Sequence, residues 1–158
     1  MTERVYAPER EGELAAMESA LEQAHEASRA GEVPVGAVLL HGGVIIARAQ
    51  NRMVRDRDAT AHAEVLVLRD AMRQLGEGRL SGATLVVTLE PCAMCAGAIV
   101  LSRVDRLVFG SWDPKAGMCG SVGDVVRHPK LNHRPEVMGG LLDAASAALL
   151  REFFAGRR

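Results

Sequence analysis

At 158 residues, 48% hydrophobic and 25% charged, the chain is long enough to bury a sizeable core and reads as one compact domain over residues 1–158. A formal net charge of −1 excludes a global basic field, so any contact with nucleic acid must come from a local patch. Three Cys are too few for a disulfide framework, and the polar N-terminus and the lack of a membrane-length apolar run lead us to expect a cytoplasmic protein with no membrane contact.

Residues 1–12 lack periodicity and read as a lead-in. From Glu13, the positions Leu14, Met17, Leu21, Ala24 and Ser28 recur at helical spacing, and Gly31 stands where that helix would stop. Val33 to Leu40 and Val44 to Ala49 are rich in β-branched residues and are joined by His41-Gly42-Gly43, a hairpin turn. After a charged loop from Arg52 to Asp58, Thr60 is placed to cap a helix over Ala61 to Leu75 whose Val65, Leu66, Leu68 and Met72 face inward. Ala83 to Leu89 is an almost unbroken apolar run, as expected of a strand covered on both faces. Pro91 opens a helix over Cys92 to Leu101, and Arg106 to Gly110 is a short strand. Residues 111–135 form a long polar loop of the kind that usually carries function. Glu136 to Met138 is a last strand and Leu141 to Phe154 a last helix, with Leu149, Leu150, Phe153 and Phe154 at helical spacing. Strands alternating with helices predict a three-layer α/β/α sandwich, and the hairpin makes its sheet mixed.

Two segments carry the chemistry: Ala61-His62-Ala63-Glu64 and Glu90-Pro91-Cys92-Ala93-Met94-Cys95. Cys92 and Cys95, three apart at a helix start, share a face, and the helix N-terminus favours thiolates. Alone, a Cys-x-x-Cys is ambiguous among structural zinc, a redox motif and chance. His62 completes a Cys₂His set that leaves the fourth position of a tetrahedral zinc ion open to water. Glu64, two residues past His62, cannot easily share its ion but can approach the open position, where it would move protons. If Cys119 closed the shell instead, the site would be structural and Glu64 would have no role.

His-Ala-Glu followed by Pro-Cys-x-x-Cys is the signature of zinc nucleobase deaminases. From about Leu14 to Phe154 the chain resembles the bacterial tRNA-specific adenosine deaminases, notably in Glu32 to Val38, Asn51-Arg52, Thr60 to Glu64, Val87 to Cys92, Val108 to Gly110, Asp113, Lys115, Gly117, Gly120-Ser121, His128-Pro129, Leu131 to Arg134 and Phe153-Phe154. The resemblance implies a cytidine deaminase-like fold with a five-stranded mixed sheet, a homodimer, and hydrolytic conversion of adenosine to inosine at the wobble position of a tRNA anticodon, arginine tRNA above all. It implies one Zn²⁺ per subunit on His62, Cys92 and Cys95, with Glu64 as the catalytic proton shuttle. It further implies that Asn51 hydrogen-bonds the flipped base, that Val33, Ala63 and Pro91 line its pocket, and that Asp113, Lys115, His128, Asn132 and Phe154 contact the nucleotides of the anticodon stem-loop. The chain departs from some relatives in lacking a longer basic tail after Arg158.

Two other readings remain open on the residues. A deaminase of free bases or nucleosides would keep the chemistry but need no surface for flanking nucleotides, a role for which Lys115, Arg127, Lys130 and Arg134 are available. A non-catalytic, zinc-stabilised RNA-binding subunit could dispense with Glu64. Trp112 is placed equally well to stack on a base or to pack.

Overall fold

The computed structural model describes residues 10–157, so most of the lead-in and the terminal Arg158 lie outside the described residues. Its elements follow in the predicted order: α1 (Glu13–Arg29), β1 (Gly36–His41), β2 (Val44–Gln50), α2 (Ala63–Leu75), β3 (Ala83–Leu89), α3 (Ala93–Ser102), β4 (Arg106–Ser111), β5 (Glu136–Gly139) and α4 (Asp143–Ala155). The strands form one sheet in the order β2-β1-β3-β4-β5. β1 runs antiparallel to both β2 and β3, whereas β3, β4 and β5 are mutually parallel. The sheet is therefore five-stranded and mixed, as the sequence reading implied.

Side chains alternate across the three central strands. Ala37, Leu39, Leu85, Val87, Leu107 and Phe109 face one layer, packing with Val67, Leu68 and Ala71 of α2 and Ala96, Ile99 and Val100 of α3. Val38, Leu40, Val86 and Val108 face the other, against Ala16, Met17 and Ala20 of α1. Helix α4 lies beside α1 on that second face and contacts β3 and β4. The hairpin turns through Gly42 and Gly43, whose φ angles of 60° and 76° are the pair of positive values that a two-residue type I′ connection requires.

Three local expectations need correction. The buried stripe of α1 is Glu13, Ala16, Met17, Ala20, Ala24 and Ala27, while Leu14 is 42% exposed and Ser28 half-buried. Small residues win here because α1 lies directly on β1: a Cβ at Gly36 would overlap the Ala20 carbonyl. Helix α2 starts at Ala63 with His62 as its N-cap, because the Thr60 hydroxyl is spent on Asp58 Oδ1 at 2.7 Å. That shift turns Ala63, Val67, Leu68 and Ala71 into the core and leaves Val65 and Leu66 half-exposed.

At the N-terminal edge of the parallel strands, the fully buried Arg106 forks onto Glu13, Nε to Oε2 at 2.7 Å and Nη2 to Oε1 at 2.8 Å, and reaches Glu136 at 3.2 Å. The opposite, C-terminal edge is where open α/β sheets carry their ligand sites. Here β3 ends at Leu89 and leads into Glu90-Pro91-Cys92. No helix among the described residues is long and apolar enough to cross a membrane.

Candidate active site

His62 and Cys92 occupy equivalent places, each the extended N-cap residue of its helix, α2 and α3. Neither side chain caps its own helix, although an N-cap position favours a side chain that does. Both turn instead toward a common point, which Cys95 reaches from the first turn of α3. His62 Nδ1 lies 3.6 Å from Cys92 Sγ and 3.4 Å from Cys95 Sγ. All three donor atoms fall within 4.8 Å of one another.

These spacings fit a metal ion. With Zn–N of about 2.0–2.1 Å and Zn–S of about 2.3 Å, the nitrogen–sulfur edge of a tetrahedron is about 3.6 Å. The donor set agrees, since two sulfurs and an imidazole, with no fourth side chain among the described residues, leave one coordination position for another group. Cys119 does not join them. It is fully buried and points its thiol at the Pro91 carbonyl, 3.8 Å away, so it does not close the shell. The thiol of Cys92 is pushed down to about 3 by hydrogen bonds from Cys95 and then from His62, so thiolate character is concentrated at the start of α3.

Glu64 follows in the first turn of α2, 4% exposed, and burial holds its carboxyl above the ordinary carboxylate range. It lines a cavity of about 260 Å³ together with Val33, Val35, Asn51, Met53, His62, Leu89, Glu90, Cys92, Asp113 and Ala116. Asn51 is 6% exposed and oriented from behind: its Oδ1 accepts the Ala63 N–H at 3.1 Å. With that oxygen engaged, the amide has its NH₂ to offer a ligand. Ala63 and Pro91 stand behind the cavity wall rather than in it, Ala63 giving a backbone N–H to Asn51 and Pro91 a carbonyl to Met118 at 2.9 Å.

A larger groove of about 770 Å³ adjoins this cavity, sharing Val33, Leu89 and Asp113 with it. Its further walls are Trp112, Pro114 and Lys115 on one side and Leu150, Arg151, Phe154 and Ala155 of α4 on the other. Trp112 stacks edge-on against Phe109, with ring centroids 4.6 Å apart at 89°, so it packs on the sheet and also forms groove wall. His128 and Asn132 are exposed and line neither space. Asn132 sits near the far end of α3, where Arg103 Nη1 donates to its carbonyl at 3.3 Å.

A model of the MafB19-like deaminases matches residues 11–158. The tRNA-specific adenosine deaminase of Bacillus subtilis (strain 168) is 49% identical over 138 residues, covering 87% of this chain and 86% of its own. The chain belongs to the tRNA-specific adenosine deaminase family. A solved structure from studies of A-to-I editing by tRNA:A34 deaminases superposes with a TM-score of 0.84 at 47% identity, covering 86% of this chain and 99% of its own. The guanine deaminase of Nitrosomonas europaea is more distant, with a TM-score of 0.73 at 30% identity, covering 96% of this chain and 86% of its own.

Several groups at this family's site escaped the sequence reading. Met53, Leu150 and Arg151 line the two spaces, and nothing in their local pattern sets them apart from ordinary loop and helix residues. Glu32 is 1% exposed and anchors the charged loop by accepting the Val54 and Arg55 N–H groups at 3.0 and 2.8 Å. Burial works to raise its carboxyl, but these bonds and Arg55 hold it below the ordinary range. Glu90, also buried, was read as the first residue of the Glu90-to-Cys95 segment but given no role of its own.

Proposed function

We propose that the protein hydrolyses adenosine to inosine, with release of ammonia, at the wobble position of a tRNA anticodon, arginine tRNA being the expected substrate. The observation that carries this reading is the small cavity lined by His62, Cys92 and Glu64 beside a groove three times its size. The cavity of about 260 Å³ suits one flipped base, and the groove of about 770 Å³ offers Lys115 and Arg151 to the charged backbone of its neighbours.

A zinc ion held by His62, Cys92 and Cys95, one per chain, would lower the pKa of a water in its fourth position towards about 7 and so supply the nucleophile for C6 of the purine. The chain's own groups do the rest. Glu64 takes a proton from the attacking water and passes it to the ring nitrogen, then takes the remaining proton from the new C6 hydroxyl and hands it to the amine, which leaves as ammonia as the carbonyl forms. Its buried carboxyl, which holds a proton more readily than an exposed one, is matched to this exchange. Asn51 orients the base by donating its free NH₂ to a purine acceptor. Val33 and Leu89 supply apolar walls, and both are shared with the groove, so the flipped base and its neighbours meet one continuous surface. Phe154, 52% exposed at the groove rim, is available to stack on an unpaired base.

Residues 1–158 act as one deaminase domain in this reading, and the tRNA substrate places its work in the cytoplasm. A homodimer is supported by the outer side of α3, where Met94 (37% exposed) and Leu101 (79% exposed) stand on either side of the half-buried Ala98 in an apolar stripe. In such a dimer His128 and Asn132, which line neither space of their own chain, would have a second site to serve.

The test is inosine formation in an anticodon stem-loop carrying adenosine at the wobble position, set against free adenosine, cytosine and guanine. Turnover of the stem-loop with none of the free compounds is expected. Turnover of free bases alone would transfer the protein to the small-molecule deaminases, a reading that the guanine deaminase neighbour keeps in view.

A further inference from the structure

The carboxylate of Glu90 is 2% exposed, and all of its hydrogen bonds come from one loop. Oε1 accepts the Asp113 N–H at 3.0 Å and the Ser121 hydroxyl, and Oε2 accepts the N–H groups of Cys119 and Ser121, each at 3.0 Å. Three backbone amides and a hydroxyl, all neutral, therefore converge on one buried anion. The backbone of Glu90 is tied in as well, its N–H donating to the Ser111 carbonyl at 2.9 Å. Gly117 completes the nest: a Cβ there would overlap the Glu90 carboxyl, so the loop closes on the anion with no space between them. The next residue, Met118, donates its N–H to the Pro91 carbonyl at 2.9 Å.

These contacts join two parts of the site that sequence separates by more than twenty residues. On one side Glu90 is two residues before the cluster residue Cys92. On the other it gathers residues 113–121, whose Asp113 and Ala116 wall the small cavity and whose Asp113 and Lys115 wall the groove. A polar loop of this length has no periodic apolar face to hold it on the sheet, and a buried charge with several donors imposes one geometry on it.

We propose that Glu90 is a positioning residue, whose buried carboxylate folds residues 113–121 around itself and so sets where Asp113 and Lys115 stand relative to the Cys₂His cluster. It rests on the deaminase reading above and deepens it, because Asp113 and Lys115, which it places, wall the groove that would meet nucleotides beside the reacting base. Glu90 shares no hydrogen bond with His62, Cys92 or Cys95, so its influence falls on substrate binding rather than on the bond-breaking step. Contacts remote from C6 made equally in ground and transition states appear in KM.

The experiment is steady-state deamination of the stem-loop by Glu90→Gln, with metal content and amide hydrogen exchange measured on the same protein. The substitution keeps the shape but turns an acceptor into a donor facing N–H groups. We expect KM to rise about 10- to 100-fold, the loss typical of hydrogen bonds to a charged acceptor, with kcat within about threefold and metal content unchanged. Exchange at the Asp113, Cys119 and Ser121 amides should accelerate. A fall in kcat at unchanged KM would make Glu90 part of the chemistry, and unchanged kinetics would make it a bystander; either overturns the proposal. If Glu90→Gln does not fold, Ser121→Ala, which deletes only the hydroxyl donor, tests the same point with a smaller rise in KM expected and unchanged KM overturning it. If the wild-type protein does not turn over the stem-loop, the deaminase reading fails on its own, and the exchange measurement still decides whether Glu90 holds the loop.

Discussion

Glu64→Gln should leave the chain folded and metal-bound while lowering kcat for inosine formation by about 10²–10⁴-fold, the contribution usual for a general acid–base group. The substitution is nearly isosteric, and its site is 4% exposed. Glu64 is outside the three-residue donor cluster, so the amide should not disturb the ligand set. What it removes is the capacity to accept a proton and give it back. KM should stay close to the wild-type value, since an amide fills the same space and still offers a carbonyl to the cavity. Metal analysis and steady-state kinetics on one preparation check both halves. Loss of metal from the variant would mean that Glu64 is a ligand, and the division of labour proposed here would be wrong.

Arg106→Ala should have the largest effect on stability, at the far edge of the sheet. Arg106 is fully buried, and its partner Glu13 is 2% exposed. Its hydrogen bonds to Glu13, outweighing the cost of burial, hold the guanidinium above its ordinary range, so Arg106 keeps its charge. Removing the cation leaves a buried carboxylate without its counter-ion, a loss of about 3–5 kcal/mol. At about 2–4 °C per kcal/mol for a chain of this size, the melting temperature should fall by roughly 6–20 °C. The register places Arg106 opposite Thr84 at the start of the parallel pair and Ser111 opposite Leu89 at its end. Below the melting transition, kcat should therefore be close to wild type. Replacing both partners with apolar residues, Arg106→Met with Glu13→Leu, should recover much of the lost stability, because an ion pair and a packed apolar pair are often nearly equivalent in the interior. A double variant no more stable than Arg106→Ala would show that the pair contributes through further contacts of the guanidinium.

How much of this was legible beforehand depended on range. Period and punctuation located every element, because β-branched runs, Gly turns and helical spacing are local signals. The Cys₂His donors and Glu64 were legible for the same reason, each segment being six residues or fewer. Thr60 misled because a hydroxyl just before an apolar run is a good cap only if nothing nearer claims it, and Asp58 does. Leu14 misled because hydrophobicity ranks Leu above Ala, whereas close approach of α1 to Gly36 selects Ala. Glu90 and Glu32 were illegible in principle. Their partners lie 22–31 residues away and are mostly backbone N–H groups, which every residue type except Pro supplies. The orientation of Asn51 by Ala63 belongs with them, since a main-chain donor twelve residues on leaves no mark in composition.

The central claim is that the His62/Cys92/Cys95 cluster holds the metal that drives wobble deamination. It is tested most directly by stripping the protein with a chelator and titrating zinc back while inosine is counted in the stem-loop. The stripped protein should be inactive, its activity returning in proportion to added zinc and saturating at about one equivalent per chain, with Cys95→Ser unable to recover. Full turnover by the stripped protein, or recovery in Cys95→Ser at the same stoichiometry, would contradict it.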